Sequence, residues 1–193
     1  MTGGKAALWN DEDIADKLVE RSTAFIIRNK NRPFFLLLTT DDIHVPRTPY
    51  SRFQHKSDMG TRGDVILQLD ATVGRIQGRL DSWGLAQNTL VIFSSDNGPV
   101  VDDGYADSSV IKLNGHQPAG PFRGGKYSTF EGGTRVPFIV KWPQQITNAK
   151  ISNALFSHID LLASLAALAN VKLAAGEAPD SFDASDVLTG KSV

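Results

Sequence analysis

Apolar residues form two short uninterrupted runs, and each run is soon followed by polar residues that favour turns. Phe34–Leu38 leads into Thr39–Asp42, and Leu90–Phe93 leads through two serines into Asp96–Pro99. Uninterrupted runs of large apolar residues are typical of strands that are buried on both faces. We therefore predict two buried strands, and a third, shorter strand within Pro137–Pro143.

Apolar residues at intervals of three and four predict three helices. The first begins after Asn10, and the second runs from about Asp58 to Trp83. Their apolar faces comprise Ile14, Leu18, Val19, Phe25 and Ile26 in the first, Val65, Leu69, Val73, Ile76 and Leu80 in the second, and Ile159, Leu162, Leu165 and Leu168 in the third. Because helices alternate with buried strands, we expect an α/β fold with a mostly parallel sheet flanked by helices. We expect one domain over residues 1–193, without an internal boundary.

The periodic pattern disappears between residues 98 and 133, where eight of the 17 glycines lie. A stretch of this length without regular structure is usually functional or disordered when it lies inside a compact domain. Large apolar side chains favour an ordered loop here, and they are Tyr105, Ile111, Leu113, Phe122, Tyr127 and Phe130. The tail after Asn170 is small and polar, and we expect little order in it.

Composition limits the partners and the chemistry. The 193 residues carry a formal net charge of −1, so neither nucleic acid nor a membrane surface is an expected partner. Without cysteine the chain has no disulfide, no thiolate metal site and no thiol nucleophile. Met1–Lys5 lacks the apolar core of a signal peptide, and the compartment stays open on the composition alone.

Asp96 and Asn97 follow the most apolar run and precede Gly98-Pro99, which cannot continue a strand. In an open α/β sheet, ligands bind in the crevice beyond the carboxyl ends of the strands. Carboxylate and amide oxygens suit Ca²⁺ or Mg²⁺, so the pair is a candidate metal site. The alternative is a turn in which both side chains bond to their own backbone.

Two further candidates lie after a strand or in the glycine-rich stretch. Residues 120–127 nearly match a phosphate-binding P-loop, but Tyr127 replaces the Ser or Thr that would hold Mg²⁺, and no strand precedes them. What remains is Lys126 on a flexible backbone, able to approach an anion. His44 follows the first apolar run and could act as an acid, an anion donor or a metal ligand. A hard cation, a lysine and a histidine around one point would form a site for a tetrahedral oxyanion.

Five segments in this order resemble the later part of a type I sulfatase, in the alkaline-phosphatase-like superfamily. The segments are Phe34–Pro46 with its His-x-Pro, Asp64–Leu85 with Leu-Asp-Ala-Thr-Val-Gly, Asn88–Pro99, Phe122–Trp142 and His158–Leu162. The resemblance extends from about residue 10 to residue 190.

The resemblance implies a sulfuric ester hydrolase that acts on a sulfated carbohydrate or an aryl ester, in the periplasm or outside the cell. It implies that Asp96 and Asn97 are ligands of Ca²⁺, that Lys126 contacts the sulfate, and that His44 acts on the leaving-group side. By the same likeness, the rest of the substrate would be held by Asp102, Asp103, His116 and Arg123.

The chain departs from the family pattern at its nucleophile. Members carry an earlier Cys-x-Pro-x-Arg or Ser-x-Pro-x-Arg segment, whose first residue matures to formylglycine, together with an earlier Asp pair that completes the metal site. Neither the cysteine form nor the serine form of the nucleophile segment occurs here. Arg47–Ser51 has the proline, but not the serine and arginine in place. We therefore expect a partial sulfatase domain that is inactive alone. A phosphoester hydrolase of the same superfamily and a non-catalytic anion- or glycan-binding remnant are the alternatives.

Overall fold

The computed structural model describes residues 4–5 and 8–191. The helices are α1 (Ile14–Asn29), α2 (Gly60–Ser82), α3 (Glu131–Thr134), α4 (Leu161–Leu168) and α5 (Ser185–Leu188), and the strands are β1 (Val91–Ser94) and β2 (Phe138–Lys141). Short 3₁₀ turns cover Asp11–Asp13, Ala86–Asn88 and His158–Asp160. Helices thus accompany a small sheet, as a partial α/β domain requires.

The chain divides into two compact units. The first contains the described residues up to Leu85 together with Ser94–Pro137, and the second contains Ala86–Phe93 and the described residues from Phe138 onward. Every residue that the sequence proposes for the site lies in the first unit. The prediction of one domain without an internal boundary stays a prediction.

Helices α1 and α2 form the core of the first unit. Ala15, Val19 and Ile26 of α1 are almost inaccessible to solvent, as are Val65 and Leu80 of α2. The two helices lie at the two places where a period near 3.6 residues predicts them, and α2 ends two residues before Gly84, which adopts a φ of +68°. The sequence prediction of these helices is confirmed.

The buried face of α2 is more polar than the apolar stripe predicts. Gln68 and Thr72 are buried, whereas Leu69 and Val73 are only half-buried. Gln68 is satisfied there, because its Oε1 accepts the Tyr50 N–H at 2.8 Å and its Nε2 donates to Asp42 at 2.8 Å. Periodicity places the helix correctly, but it cannot show which polar residues find partners inside.

The prediction of a buried strand at Phe34–Leu38 is wrong. The described structure assigns no strand to this segment, and Phe35 and Leu37 are 71% and 74% exposed. Phe34 alternates with them and faces inward, where its ring meets that of Phe25 edge-on at 6.1 Å. A strand requires a hydrogen-bonded neighbour, and an apolar run indicates nothing about whether that neighbour is present.

The second unit contains the paired strands and the C-terminal helices. Strand β1 pairs with β2 alone in the described part of the chain, and its residues are half-buried, so burial on both faces is also a wrong prediction. The tail is more ordered than expected, because Leu188 of α5 is fully buried and the Ser164 hydroxyl accepts the Ala184 N–H at 2.9 Å. Among the described residues, no helix has the length and apolarity needed to cross a bilayer.

Candidate functional site

The Asp96-Asn97 turn begins two residues after β1 ends at Ser94. The Asp96 carboxylate is exposed, and Asn97 is half-buried. Asn97 Nδ2 donates to the Gly98 carbonyl oxygen at 2.9 Å, so the amide bonds its own backbone as the turn interpretation requires. That bond uses the amide nitrogen, and it leaves Oδ1 as the atom that could ligate a cation.

A close backbone approach fixes the turn against the end of the glycine-rich stretch. The Gly98 N–H donates to the Gly133 carbonyl oxygen at 2.8 Å. A Cβ atom on Gly98 would lie 1.9 Å from the Gly132 carbonyl oxygen, a distance that no side chain tolerates. Glycine is therefore required at this position because two backbone segments pack in direct contact.

Lys126 is held by the same packing. Its N–H donates to the Pro99 carbonyl oxygen at 2.9 Å, three residues beyond Asp96. A Cβ atom on Gly125 would lie 2.5 Å from that oxygen, so this glycine is also required. The structure therefore brings Lys126 to the loop that follows Asp96 and Asn97, which are about 30 residues earlier in the sequence.

His44 and Lys126 meet although 82 residues separate them. The His44 Nε2 and Lys126 Nζ atoms lie 3.4 Å apart, and His44 Nδ1 lies 2.8 Å from the Val45 carbonyl oxygen. A carbonyl oxygen can only accept, so Nδ1 carries the proton and a neutral His44 offers Nε2 as the acceptor. In the part of the chain that the structure describes, neither side chain has a carboxylate partner. This pair is suited to a ligand that brings negative charge.

Arg47 forms a buried ion cluster three residues after His44. Its side chain is 1% exposed, its Nη1 donates to Asp107 and to the Ser109 hydroxyl at 3.0 Å, and its Nη2 lies 3.4 Å from Asp103. Burial raises the pKa of Asp107, but hydrogen bonds from Ser109 and Arg47 outweigh it and hold that pKa below its usual value. The cluster orders the loop around residues 103–109 through matched charges.

The same guanidinium supports the backbone around His44. Arg47 Nε donates to the Ile43 carbonyl oxygen at 3.0 Å, and the His44 backbone N–H donates to the Asp41 carbonyl oxygen at 2.9 Å. Arg47 thus joins the histidine turn to the loop that carries Asp102 and Asp103. Sequence analysis assigned Arg47 no role, because a single arginine in a proline-containing loop has no distinguishing pattern.

Arg62 anchors the backbone that follows the Asp96 turn. It is buried on α2, and its Nη1 donates to the Val100 carbonyl oxygen at 3.2 Å. Burial, and then the charge of Arg47, lower the pKa of Arg62. Its Nε atom and Asp103 Oδ1 are both buried without a hydrogen-bond partner among the described residues.

The four candidates for holding the substrate have different environments. Asp102 and His116 are exposed, and Asp102 Oδ1 accepts the Gly104 N–H at 3.3 Å. The Arg123 guanidinium lies 4.0 Å from the centre of the Phe130 ring. Asp103 is 9% exposed and pairs with Arg47, so a substrate would have to share it with that ion pair. Their roles in binding stay predictions.

The oxygen atoms of Asp96 and Asn97 are of the type that binds a hard cation, but they are too few to complete a site. One exposed carboxylate and one amide oxygen are the ligands that Ca²⁺ prefers, but Ca²⁺ takes six to eight oxygens. Among the described residues, no group of three or more His, Cys, Asp or Glu side chains could hold a metal ion. Asp96 and Asn97 therefore fit one part of a calcium site, and most of its ligands must come from elsewhere.

Comparison with known proteins shows similarity over almost the whole chain. Residues 5–171 match the family described as Sulfatase. The chain is 56% identical over 191 residues to an N-acetylgalactosamine-6-O-sulfatase of Bacteroides thetaiotaomicron, with 99% of this chain and 37% of that protein covered.

Solved structures agree with the sequence comparison. One, described with the metabolism of multiple glycosaminoglycans by Bacteroides thetaiotaomicron, superposes with a TM-score of 0.94 at 56% identity and covers 98% of this chain and 39% of its own. Another, Ps i-CgsB in complex with k-i-k-neocarrahexaose, has a TM-score of 0.75 at 28% identity and covers 93% of this chain and 39% of its own. The chain thus spans less than half the length of each of these proteins.

Proposed function

The chain belongs to the sulfatase family, and we propose that its protein hydrolyses sulfate esters of carbohydrates. The observation that carries the proposal is the 3.4 Å approach of His44 Nε2 to Lys126 Nζ, with no carboxylate paired to either in the described chain. An ammonium beside an imidazole nitrogen that can gain a proton, with no counter-ion at either, fits a tetrahedral oxyanion.

Each residue has a distinct task in this proposal. The Lys126 ammonium neutralises charge on the sulfate oxygens, and the turn at Gly125 fixes it in place. His44, when protonated on Nε2, donates that proton to the departing ester oxygen, while its Nδ1–H bond to Val45 keeps the ring oriented. Asp96 and Asn97 would hold Ca²⁺, which would add positive charge beside the sulfate.

The nucleophile would come from outside this sequence. Formylglycine, which the family uses, requires a cysteine or serine in a specific motif, and this chain has no cysteine and no serine in that setting. The roles of the present residues are therefore binding, charge stabilisation and proton transfer. Those are terms on the order of 10²–10⁴-fold for a positioned acid or base, which is small beside the barrier to sulfate ester cleavage.

We propose N-acetylgalactosamine 6-sulfate, or a glycosaminoglycan unit that contains it, as the substrate. This proposal is supported by the name of the relative that is 56% identical, and the oligosaccharide bound to Ps i-CgsB supports a carbohydrate in general. Asp102, Asp103, His116 and Arg123 are the candidates to contact the sugar.

The test is a binding measurement on the 193-residue chain. We expect N-acetylgalactosamine 6-sulfate and inorganic sulfate to bind, and Lys126→Met to weaken both by about 10- to 100-fold, since a charge-assisted contact contributes about 1.5–3 kcal/mol. Lys141→Met, which removes a lysine of the second unit, is the matched control. Equal binding by wild-type protein and Lys126→Met would refute the oxyanion site.

A second measurement tests the division of tasks. We expect no hydrolysis of an aryl sulfate by the chain alone beyond that of the His44→Ala, Lys126→Ala double variant, because nucleophilic catalysis requires an activated group in line with the ester. Turnover that disappears in the double variant would reveal a nucleophile within this sequence.

A further inference from the structure

Tyr127, the residue that separates this sequence from a P-loop, has a backbone conformation that tyrosine rarely adopts. Its φ is +76°, in the left-handed region. The Ser128 N–H donates to the Gly125 carbonyl oxygen at 3.1 Å, which makes Tyr127 the third residue of a tight turn. Glycine or asparagine is the usual residue where the third position of a turn has positive φ. A bulky residue there is strained, and such strain occurs most often at functional sites.

Hydrogen bonds and close backbone contacts hold the turn in this conformation. The Ser128 hydroxyl donates to the Gly125 carbonyl oxygen at 2.8 Å, in addition to the backbone bond. The Lys126 N–H donates to Pro99 at 2.9 Å, and Gly125 leaves no room for a side chain. The ring of Tyr127 is therefore held outward from a fixed backbone.

Packing does not explain the tyrosine. Tyr127 is 85% exposed, more than any other Phe, Tyr or Trp in the described part of the chain. Two neighbouring rings already carry a guanidinium over one face, since Arg123 lies 4.0 Å from the Phe130 centre and Arg135 lies 4.6 Å from the Phe122 centre. The Tyr127 ring has a different neighbour: Lys126 Nζ, 5.6 Å from its centre.

The Tyr127 ring and the Lys126 ammonium are therefore close enough to contact the same ligand. Lys126 Nζ is the atom that approaches His44 Nε2, so a ligand whose anionic group contacts both nitrogens can place its remaining atoms beside the Tyr127 ring. A pyranose presents an apolar face of C–H groups, which packs favourably on an aromatic ring. A sulfated sugar brings the anion and the apolar face in one molecule.

We propose that Tyr127 is the stacking platform for the sugar ring that carries the sulfate, and that this contact selects sulfated pyranoses over free sulfate. The proposal rests on the proposed function, because it places the sulfate at His44 and Lys126. It accounts for a strained residue at a position where asparagine would form the same turn without strain.

The experiment measures dissociation constants of the 193-residue chain for inorganic sulfate and for N-acetylgalactosamine 6-sulfate. In wild-type protein we expect the sugar sulfate to bind more tightly than inorganic sulfate. Tyr127→Asn should weaken the sugar sulfate about tenfold, a typical effect for one aromatic contact, and leave inorganic sulfate within twofold. Tyr127→Phe should keep the wild-type preference, since it retains the ring. Phe182→Ala, which removes an exposed ring of the second unit, should change neither constant.

A thermal unfolding measurement gives a second readout. Because asparagine tolerates positive φ, Tyr127→Asn should unfold at a higher temperature than wild-type protein while it loses the sugar preference. Unchanged sugar affinity in Tyr127→Asn would overturn the inference and leave the proposed function intact, as would loss of the preference in Tyr127→Phe. If wild-type protein and Lys126→Met bind sulfate equally, the proposed function fails instead.

Discussion

Two clusters of the first unit differ in whether their positive charge is buried and has carboxylate partners. The Arg47 cluster is buried and matched, with Asp103 and Asp107 beside the guanidinium. The His44–Lys126 pair is accessible and has no carboxylate partner in the described chain. A buried charge without partners is costly, whereas an accessible charge keeps its water until a ligand replaces it. The Arg47 cluster thus stabilises the loops, whereas the His44–Lys126 pair remains available to bind an anion.

Removing the matched buried charge should have the largest effect. Arg47→Met leaves Asp103 and Asp107 without their cation, and we expect the free energy of unfolding in urea to fall by about 3–5 kcal/mol. Arg135→Met is the matched control, because its ion pair with Glu131 is more than 60% exposed on both sides and should contribute less than about 1 kcal/mol. Equal effects of the two substitutions would show that burial does not distinguish these pairs.

Disturbing the Gly98 contact should move the His44–Lys126 pair while both of its side chains remain. Gly98→Ala forces a Cβ atom against the Gly132 carbonyl oxygen, so we expect a loss of about 1–3 kcal/mol in stability, together with weaker sulfate binding. Gly74→Ala, on α2 with no atom within 4 Å of the added Cβ, should stabilise by about 0.5–1 kcal/mol. Unchanged sulfate affinity in Gly98→Ala would separate this contact from the site.

Asp42 is a buried charge that is only partly matched. Burial raises the pKa of Asp42, against the opposing hydrogen bond from Gln68, and Oδ2 has no partner among the described residues. A raised folded-state pKa means that the folded protein binds the proton more tightly. The free energy of unfolding is therefore highest below the ordinary Asp pKa of 3.8, and it falls as the pH rises through the pKa of Asp42 in the folded protein. We expect Asp42→Asn to be more stable than wild-type protein by about 1 kcal/mol at pH 7, and this gain to vanish in acid.

Unfolding curves at several pH values test this sign. The Asn side chain keeps an oxygen for Gln68, so the substitution removes the charge and little else. An Asp42→Asn protein that is less stable than wild type at pH 7 would indicate that the ionised carboxylate has a favourable partner.

Asp16 supplies the remaining case, an accessible charge that is matched. Arg52 donates to both of its oxygens at 2.7 and 2.6 Å, and Arg75 of α2 also bonds it. Hydrogen bonds from Arg52, and then from Arg75, lower the pKa of Asp16 to about 2. The ionised Asp16 carboxylate therefore stabilises the folded protein above the ordinary Asp pKa of 3.8, and this stabilisation is lost as the pH falls towards 2.

Because the pair is partly exposed, its effect should be the smallest. We expect Asp16→Asn to lower the free energy of unfolding by about 0.5–1 kcal/mol at pH 7, and the difference from wild type to disappear near pH 2. A loss as large as that of Arg47→Met would contradict the distinction between exposed and buried pairs.

The helices and strands were predicted correctly where their partners for hydrogen bonding and packing lie within this chain. Helices α1 and α2 follow from apolar spacing, and β1 and β2 follow from short apolar runs. These patterns act between residues close in sequence, so the sequence alone contains them. Phe34–Leu38 has a strand pattern of the same strength and forms no strand, because a strand also depends on a neighbour.

The sequence named the candidate site residues and the expectation that they surround one point, and it did not show the contacts that join them. The sequence alone determined that an Asp-Asn pair follows the apolar run of β1, that two glycines precede Lys126, and that His44 follows an apolar segment. Only the tertiary structure decided that His44 Nε2 reaches Lys126 Nζ, that Arg47 is buried between two aspartates, and that Tyr127 has a positive φ. Contacts between residues 56 to 82 positions apart depend on loop paths, and these follow from backbone approaches such as Gly98 against Gly132, which leave no periodic trace in the sequence.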